Sequence, residues 1–356
     1  MKDSYRAAVH DFSVMDAVLV ILETADGTRG IGTADPSPGY SRQTSQEIWD
    51  ALSDVILPRF LEVQPETPCE GAAVLESVQG HENARCAVEM AFLDLCGHVN
   101  DKSVASFFGG TSRKRERLNA WIGVDTPQSM AENARVWRDR GFASLKLKLD
   151  GNPERDIERV RTVVGAVGSQ MQVRADVNGA YDSKTAIDVA RELEDTELVH
   201  LEQPVPQDDL DGLEAVTKST STTIMADECL LTLDHVRKVL DRGAADRLKL
   251  KPLRLGGLLQ ANDALEMAAD AGIDCVVGHG FGLTPATSAE LLLTTSHENV
   301  FRPVESVGLL KMADQPFEST YSYSDGMVQL AEAPGLGVSV SDNHLSEFSE
   351  TRLTIP

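Results

Sequence analysis

Between residues 118 and 306 the sequence alternates short β-rich runs with amphipathic helical segments, and this regular alternation restricts the fold more than any other feature. The eight runs are 118–124, 143–149, 171–177, 198–204, 222–228, 246–252, 274–280 and 300–306. Strands separated by helices pair in parallel, and eight such units predict an α/β fold, a TIM-type (β/α)7β barrel. A doubly wound sheet is the alternative. It is disfavoured because no G-x-G-x-x-G follows the first strand of a βαβ unit.

The residues before the barrel follow a different pattern. Residues 16–34 predict two strands that flank a turn at Asp26-Gly27. Residues 44–62 and 71–99 carry helical periodicity, most clearly in ARCAVEMAFLDLCGHV. We therefore expect a strand pair and helices ahead of the barrel.

The composition excludes several classes of protein. The chain has 33 basic and 56 acidic residues and a formal net charge of −23, which disfavours binding to nucleic acid or to anionic membranes. It has no apolar stretch of roughly 18 residues and no apolar signal-peptide segment. Five widely spaced cysteines without a C-x-x-C motif indicate reduced thiols and no zinc site. We expect a cytoplasmic protein.

Ionisable residues stand at the ends of six successive predicted strands, where the catalytic groups of such barrels lie. They are Lys148, Asp176, Glu202, Asp227, Lys251 and His279, separated by 24 to 28 residues. A lone Asp after a strand is more often a helix cap or a turn residue. Six in phase are harder to explain by chance, and they predict one common site at the rim.

The three carboxylates in this set would repel one another unless a cation or a proton lay between them. Oxygen ligands without Cys or His favour a hard divalent ion, Mg²⁺ first and Mn²⁺ second. We therefore expect a metal centre at Asp176, Glu202 and Asp227.

The sequence LKLK occurs twice, at 145–148 and 248–251. Lysines that alternate with leucine point to one face of a strand, so we expect Lys146 and Lys148 to face the interior together. Lys251 would face Lys148 across the metal. A nearby cation and a second lysine disfavour the charged form of a lysine. We therefore expect Lys146 and Lys148 to lower each other's pKa and to supply a general base.

These residues form an ordered set of motifs. They are KLK at 146–148, DVN at 176–178, EQP at 202–204, DE at 227–228 and KPLRLGG at 251–257. The set resembles the enolase superfamily, specifically the muconate lactonizing enzyme subgroup of the mandelate racemase/muconate lactonizing enzyme family. DGTRGIGTADPSPGYS, AVEMAFLDLCGHVNDKSVASFFGG and DGMVQLAEAPGLGVSV resemble its capping domain, so the resemblance covers nearly the whole chain.

The resemblance implies a role for each matched residue. Asp176, Glu202 and Asp227 would bind Mg²⁺, Lys148 and Lys251 would be acid/base catalysts on opposite faces of the substrate, Lys146 would assist Lys148 and the substrate carboxylate, and Asn178 and Glu228 would support the ligands. The shared reaction is removal of the proton α to a carboxylate, giving an enediolate stabilised by Mg²⁺.

The resemblance also implies three segments. Residues 1–112 would be an α+β capping domain, 113–308 the barrel domain, and 309–356 a return to the capping domain. By this resemblance the family's first strand would be missing from this chain, which would start inside the loop that should cover the site. His279 lies where the mandelate racemase subgroup has its catalytic His, but Lys251 replaces the Asp that would pair with it, so we interpret His279 as lining the site.

We expect a racemase or epimerase of an amino-acid-derived carboxylate, acting as a homo-oligomer on a small-molecule substrate. A muconate-type cycloisomerase or a syn-dehydratase similar to o-succinylbenzoate synthase is the alternative, and a non-catalytic carboxylate-binding barrel is an alternative of another class. ESVG at 305–308 lacks the paired aspartates of dipeptide epimerases, which disfavours a dipeptide substrate. Candidate pocket residues are Tyr5, Tyr40, His279, Phe281 and Glu305.

Overall fold

The structure is a computed structural model. It describes residues 14–37, 41–110, 113–278, 280–330 and 332–355, together with the backbone of residues 5–6 and 11–12. The strands that precede the barrel are β1 (Tyr5–Arg6), β2 (Asp11–Phe12), β3 (Val18–Glu23) and β4 (Arg29–Ala34). β3 and β4 pair antiparallel from Val18↔Ala34 to Glu23↔Arg29. The predicted strand pair around Asp26-Gly27 is therefore confirmed.

Helices follow this strand pair. They are α1 (Ser45–Ala51), a π-helical stretch Leu52–Ile56, α2 (Leu57–Val63), α3 (Pro68–Glu76), α4 (Glu82–Val99) and a 3₁₀ turn Val104–Phe108. The helical periodicity of residues 71–99 is divided between the two helices α3 and α4. Gly80 and His81 adopt left-handed backbone angles, with φ of +72° and +56°, so the chain turns between α3 and α4.

The barrel is a curled sheet of seven parallel strands, which confirms the predicted TIM-like fold class. After the short β5 (Arg115–Arg117), its strands are β6 (Ala120–Ile122), β7 (Ser144–Lys148), β8 (Gln172–Asp176), β9 (Leu198–Glu202), β10 (Ile224–Ala226), β11 (Arg247–Leu250) and β12 (Asp274–Val277). β6 to β12 lie side by side in chain order. Chain-order neighbours in a parallel sheet require a helical crossover between successive strands.

Helices α5 to α11 provide these crossovers, and α12 follows the last strand, β12. They are α5 (Pro127–Asp139), α6 (Pro153–Val167), α7 (Ser183–Glu192), α8 (Leu210–Ser219), α9 (Leu233–Arg242), α10 (Pro252–Leu255), α11 (Leu258–Asp270) and α12 (Thr284–Thr295), with a 3₁₀ turn at Gly168–Gln170. Side-chain oxygens of Thr126, Asn152, Asp182, Asp209 and Thr232 cap the N-termini of α5 to α9. Such caps fix where each helix begins after the loop.

The eighth predicted strand, 300–306, is not a regular strand. Its backbone makes isolated parallel bridges to both edges of the sheet, Val300 to Cys275 and Val304 to Leu118. Pro303 lies between these bridges and has no N–H to donate, so a continuous ladder cannot form there. The two bridges nevertheless connect β12 to the segment ahead of β6.

The C-terminal segment returns to the N-terminal one. Its elements are α13 (Gly308–Lys311), β13 (Phe317–Ser319), β14 (Ser322–Ser324), β15 (Met327–Gln329), β16 (Val338–Val340) and α14 (Asp342–Phe348). Asp94 of α4 is buried and accepts hydrogen bonds from the backbone N–H of Ile31, at 2.8 Å, and of Leu336, at 2.7 Å. One carboxylate thus joins β4 to the C-terminal segment, while the division at residues 112 and 308 stays a prediction.

Within the described residues no helix combines the length and the apolar character that a membrane crossing requires. All five cysteines are free, and each of them except Cys69 is buried. These free thiols agree with the redox state predicted from cysteine spacing.

Glu89 of α4 connects the N-terminal segment to the barrel. Its buried carboxylate accepts hydrogen bonds from the backbone N–H groups of Leu258 and Leu259, the first residues of α11. Gly257 at the N-cap has no side chain to do this. Burial raises the pKa of Glu89 to about 7, although the two backbone donors oppose that rise.

Strand β4 lies unusually close to α4 at its glycines. A Cβ on Gly32 would lie 2.7 Å from the backbone N of Ala91, which is closer than side-chain carbons pack. Gly32→Ala should therefore lower the free energy of unfolding by about 1–3 kcal/mol. Gly165→Ala, at an exposed position within α6 with nothing within 4 Å, should raise it by about 0.5–1 kcal/mol. Denaturant unfolding measures both, and equal effects would contradict this packing.

The raised pKa of Glu89 predicts a pH-dependent stability. Its folded pKa of about 7 lies above the ordinary value of 4.5, so its contribution is complete below 4.5 and is lost as pH rises through 7. Glu89→Gln keeps an acceptor but does not titrate. Its stability relative to the original chain should rise by about 1–3 kcal/mol between pH 5 and pH 8.

Chemical denaturation at several pH values measures this difference. Glu47→Gln is the control. Hydrogen bonds from the backbone N–H and the hydroxyl of Thr44 lower the pKa of the exposed Glu47, so its effect should not vary between pH 5 and pH 8. A pH-independent effect of Glu89→Gln would refute the assignment.

Candidate active site

The strand register brings the predicted site residues to one end of the sheet. Lys148 is the register partner of Asp176, and Asp176 is the register partner of Glu202. On β10, Met225 pairs with Glu202, so Asp227 lies two residues further along that strand's direction. Lys146, Lys148, Asp176, Asn178 and Lys251 line one cleft. Glu202 and Asp227 are buried, with exposures of 0% and 1%.

Lys148 lies within a chain of hydrogen bonds. Its Nζ donates to Asp176 Oδ2 and to Asn178 Oδ1, each at 2.7 Å. The amide Nδ2 of Asn178 in turn donates to Glu228 Oε1 at 2.9 Å. Asn178 and Glu228 therefore orient Lys148, and the structure brings these four predicted residues together.

Lys251 lies in a matching arrangement around Asp227. Its Nζ donates to Asp227 Oδ2 at 2.6 Å, while Arg254 Nη1 donates to Asp227 Oδ1 at 2.7 Å. The sequence interpretation missed Arg254. Its position within KPLRLGG, one turn after Lys251 on the short helix α10, was the available signal.

Lys146 contacts several carboxylates at once. Its Nζ lies 3.1 Å from Glu202 Oε2, 3.4 Å from Asp176 Oδ2 and 3.0 Å from Glu305 Oε2. Burial alone would lower the pKa of Lys146, but these carboxylates outweigh it and raise that pKa well above its ordinary value. The expectation that the two lysines lower each other's pKa is therefore wrong for Lys146, because the sequence did not reveal how many carboxylates surround it.

The predicted metal ligands differ in their electrostatic state. Burial and the charge of Asp176 raise the pKa of Glu202 well above its usual range. Burial would also raise the pKa values of Asp176 and Asp227, but Lys148 lowers the first, and Lys251 with Arg254 lowers the second well below its usual value. Glu202 is thus the carboxylate whose charge is least compensated.

The donor set suits a hard cation. Asp176, Glu202 and Asp227 offer only oxygen, the ligand type that Mg²⁺ prefers. Burial and the charges of Asp227 and Asp176 raise the pKa of nearby Glu228. Its Oε2 is buried without a hydrogen-bond partner in the part of the chain that the structure describes. Added positive charge would stabilise this excess of buried carboxylate.

A second set of possible metal ligands is buried between the strands and shares Glu202 with the predicted set. His200, Glu202 and Glu305 offer ligand atoms that all lie within 4.8 Å of one another, a spacing compatible with a divalent metal. Glu305 is already engaged, since Arg174 donates to its Oε1 at 2.9 Å and Lys249 to its Oε2 at 2.6 Å.

Arg174 and Lys249 were also missed by the sequence interpretation. Each stands two residues before a predicted site residue on the same strand, Arg174 before Asp176 and Lys249 before Lys251. Period-two alternation places them on the same face, so this signal was available. The second LKLK thus differs from the first, since Lys249 pairs with Glu305 rather than with the predicted metal ligands.

The predicted pocket residues have mixed outcomes. Phe281 and Glu305 line the cleft, although Glu305 is held by Lys146, Arg174 and Lys249. Tyr40 and His279 lie outside the described residues, and only the backbone of Tyr5 is described, in β1. Lys311 also lines the cleft, and no motif indicated it.

Comparison with known families is consistent with this geometry. The family model "Enolase C-terminal domain-like" matches residues 129–344. The model "Mandelate racemase / muconate lactonizing enzyme, N-terminal domain" matches residues 2–109. The two matches together span most of the chain.

Individual relatives cover almost the whole chain at low identity. N-succinyl-L-Arg/Lys racemase of Bacillus cereus is 25% identical, covering 98% of this chain and 94% of its own. L-Ala-D/L-Glu epimerase of Bacillus subtilis is 29% identical, covering 94% and 92%. Chloromuconate cycloisomerase CbnB of Cupriavidus necator is 26% identical, covering 93% and 91%.

A solved structure supports the same grouping. Dipeptide epimerase from Enterococcus faecalis, complexed with Mg and the dipeptide L-Leu-L-Tyr, superposes with a TM-score of 0.87 at 26% identity, covering 95% of this chain and 96% of that one. Given the matched domain models, the ordered motifs and the barrel that positions them, this chain belongs to the mandelate racemase/muconate lactonizing enzyme family of the enolase superfamily.

Proposed function

We propose that this protein removes the proton α to a substrate carboxylate and returns it, acting as a Mg²⁺-dependent racemase or epimerase of an amino-acid-derived carboxylate. The observation that carries the proposal is the placement of Lys148 and Lys251. They belong to the second and the sixth units of the barrel, line one cleft, and each donates to a buried aspartate. Groups four units apart in an eight-unit barrel approach a ligand at its mouth from opposite sides.

The chemistry requires one lysine in each protonation state. The unprotonated amine takes the α-proton, and the electron pair of the C–H bond moves into the substrate carboxylate. The ammonium on the other face then donates its proton to the same carbon, which inverts its configuration. Asp176 and Asn178 orient Lys148, and Asp227 orients Lys251, so both nitrogens are positioned before the substrate binds.

We assign the cation to Asp176, Glu202 and Asp227. When bound, a divalent cation supplies positive charge beside the substrate carboxylate, where negative charge develops during proton removal. The alternative group that includes His200 and Glu305 is a weaker candidate. Arg174 and Lys249 already donate to Glu305, and Arg247 Nη1 lies 2.8 Å from His200 Nδ1, so a cation there would face existing positive charge.

The relatives support the shared step rather than one substrate. Their names include racemases, epimerases and cycloisomerases at 25–29% identity. We favour racemisation or epimerisation because both lysines are held by hydrogen bonds to carboxylates. A cycloisomerase needs only one of them for proton transfer, and the tests below distinguish these reactions.

The metal assignment predicts a difference between two buried carboxylates. Asp227→Asn should weaken Mg²⁺ binding by at least about tenfold, because the ion loses one of its three anionic protein ligands. Glu305→Gln should leave that affinity within about threefold, with a thermal melt to verify folding. Calorimetric titration with Mg²⁺ measures both affinities. A larger loss of affinity in Glu305→Gln than in Asp227→Asn would assign the metal to Glu305 instead.

The lysine assignment predicts separate half-reactions. Lys148→Ala and Lys251→Ala should each lower net inversion by about 10³-fold or more, whereas each can still exchange the α-proton of one enantiomer with solvent. Incubation with N-acyl amino acids, dipeptides and muconates in D₂O, followed by mass spectrometry and polarimetry, measures both quantities. Lys184→Ala, which removes an exposed lysine, is the control and should retain full activity.

Other results would favour the alternatives. Exchange or ring formation that depends on one lysine alone, without optical inversion, would indicate a cycloisomerase or a syn-dehydratase. If the protein binds carboxylates but exchanges the α-proton of none of the tested compounds, the result would indicate the non-catalytic barrel and overturn the proposal.

A further inference from the structure

Lys311 is a buried lysine in the cleft that the proposed proton transfer does not use. It ends α13, directly after the segment that bridges the two edges of the sheet. Its exposure is 6%, and it lines the same cleft as Lys148 and Lys251. An ionisable side chain in such a place needs a physical reason, because burial of its charged form is costly.

Two aromatic rings flank this ammonium. Lys311 Nζ lies 4.0 Å from the centroid of the Phe281 ring and 4.7 Å from that of Trp121, within the range of cation–π attraction. Phe281 and Trp121 also line the cleft. The rings hold the ammonium at the cleft wall and limit its contact with water, so an anion that reached it would be bound in a medium of low dielectric constant.

The electrostatic surroundings of Lys311 are unfavourable to a further cation. Burial, together with the charges of Lys146 and Lys148, lowers its pKa well below the ordinary value, and Glu305 opposes that effect. Glu305 is already bonded to Arg174 and Lys249 and lies 3.0 Å from Lys146. An anionic group of a ligand would therefore be stabilised by Lys311 and would in turn favour its charged form.

We infer that Lys311, Trp121 and Phe281 form a subsite for a second anionic group of the substrate. The substrate class is then a carboxylate with a second carboxylate or similar anion away from the reacting carbon. This inference rests on the proposed function, because it places the α-carboxylate beside Lys146 and the cation. Lys148 and Lys251 transfer protons, and Lys311 selects the substrate by its distal charge.

Matched pairs of compounds test the subsite, since each pair differs by one charge at nearly constant shape. One pair is N-succinyl- and N-butanoyl-L-phenylalanine, and the other is L-Ala-L-Glu and L-Ala-L-Gln. The experiment measures kcat/KM for α-proton exchange in D₂O with Mg²⁺, and Kd by calorimetry, for all four compounds. The proteins are the original chain, Lys311→Met, Lys311→Arg and the exposed control Lys184→Met.

For at least one pair the original chain should prefer the member with two carboxylates by roughly 10- to 100-fold, the range expected for a hydrogen bond between charged groups. Lys311→Met, which keeps a long apolar side chain, should reduce that ratio to near one. Lys311→Arg should retain part of it, and Lys184→Met all of it. A thermal melt of each variant verifies folding.

Failure of the subsite and failure of the proposed function give different results. Exchange without preference for the member with two carboxylates, or a preference that persists in Lys311→Met, overturns the subsite and leaves the proposed function standing. A Lys311-dependent preference in Kd without any exchange supports the subsite and overturns the proposed function. Absence of both binding and exchange for all four compounds overturns both.

Discussion

The arrangement at the barrel mouth depends on opposite charges buried against one another. Asp176 and Asp227 are almost inaccessible to solvent, and each is held by the ammonium of a lysine, Lys148 or Lys251. Without these partners, burial would favour protonated carboxyl groups and neutral amines. The proposed acid/base groups are therefore positioned by the same interactions that allow the carboxylates to remain ionised. Removal of either lysine leaves its aspartate with less compensating charge, that of Lys146 near Asp176 or that of Arg254 near Asp227.

The position of Lys251 also depends on the N-terminal segment, which lies outside the barrel. Glu89 of α4 supplies the acceptor that α11 lacks at its own N-terminus. The loop before α11 follows directly on the short helix α10. That helix begins directly after Lys251, and its Arg254 donates a hydrogen bond to Asp227. Packing of α4 against the barrel thus supports the position of Lys251. We infer that the geometry of one proposed acid/base residue, Lys251, depends on a helix outside the barrel.

The sequence predicted the residues that share a rim, but not the partners of each charge. Strand alternation and motif spacing identified Lys148, Asp176 and Lys251 because these signals are local and periodic. The pKa of Lys146 was predicted in the wrong direction, since Glu202 and then Glu305 raise it, and Glu305 is 159 positions away along the chain. Lys311 gave no signal at all, because only the path of the chain after residue 306 brings it to the cleft. The irregular eighth strand is explained by Pro303, which has no N–H to donate to a ladder.

The central claim is that the charge pattern at the barrel mouth holds a divalent cation at Asp176, Glu202 and Asp227. Crystals soaked in Mn²⁺ and measured near its absorption edge test this claim most directly, because anomalous scattering locates the ion independently of the protein atoms. The account predicts one strong peak with an oxygen of each of these three carboxylates roughly 2.0–2.2 Å away. A peak at His200 and Glu305, or no peak at the barrel mouth at saturating Mn²⁺, would contradict it.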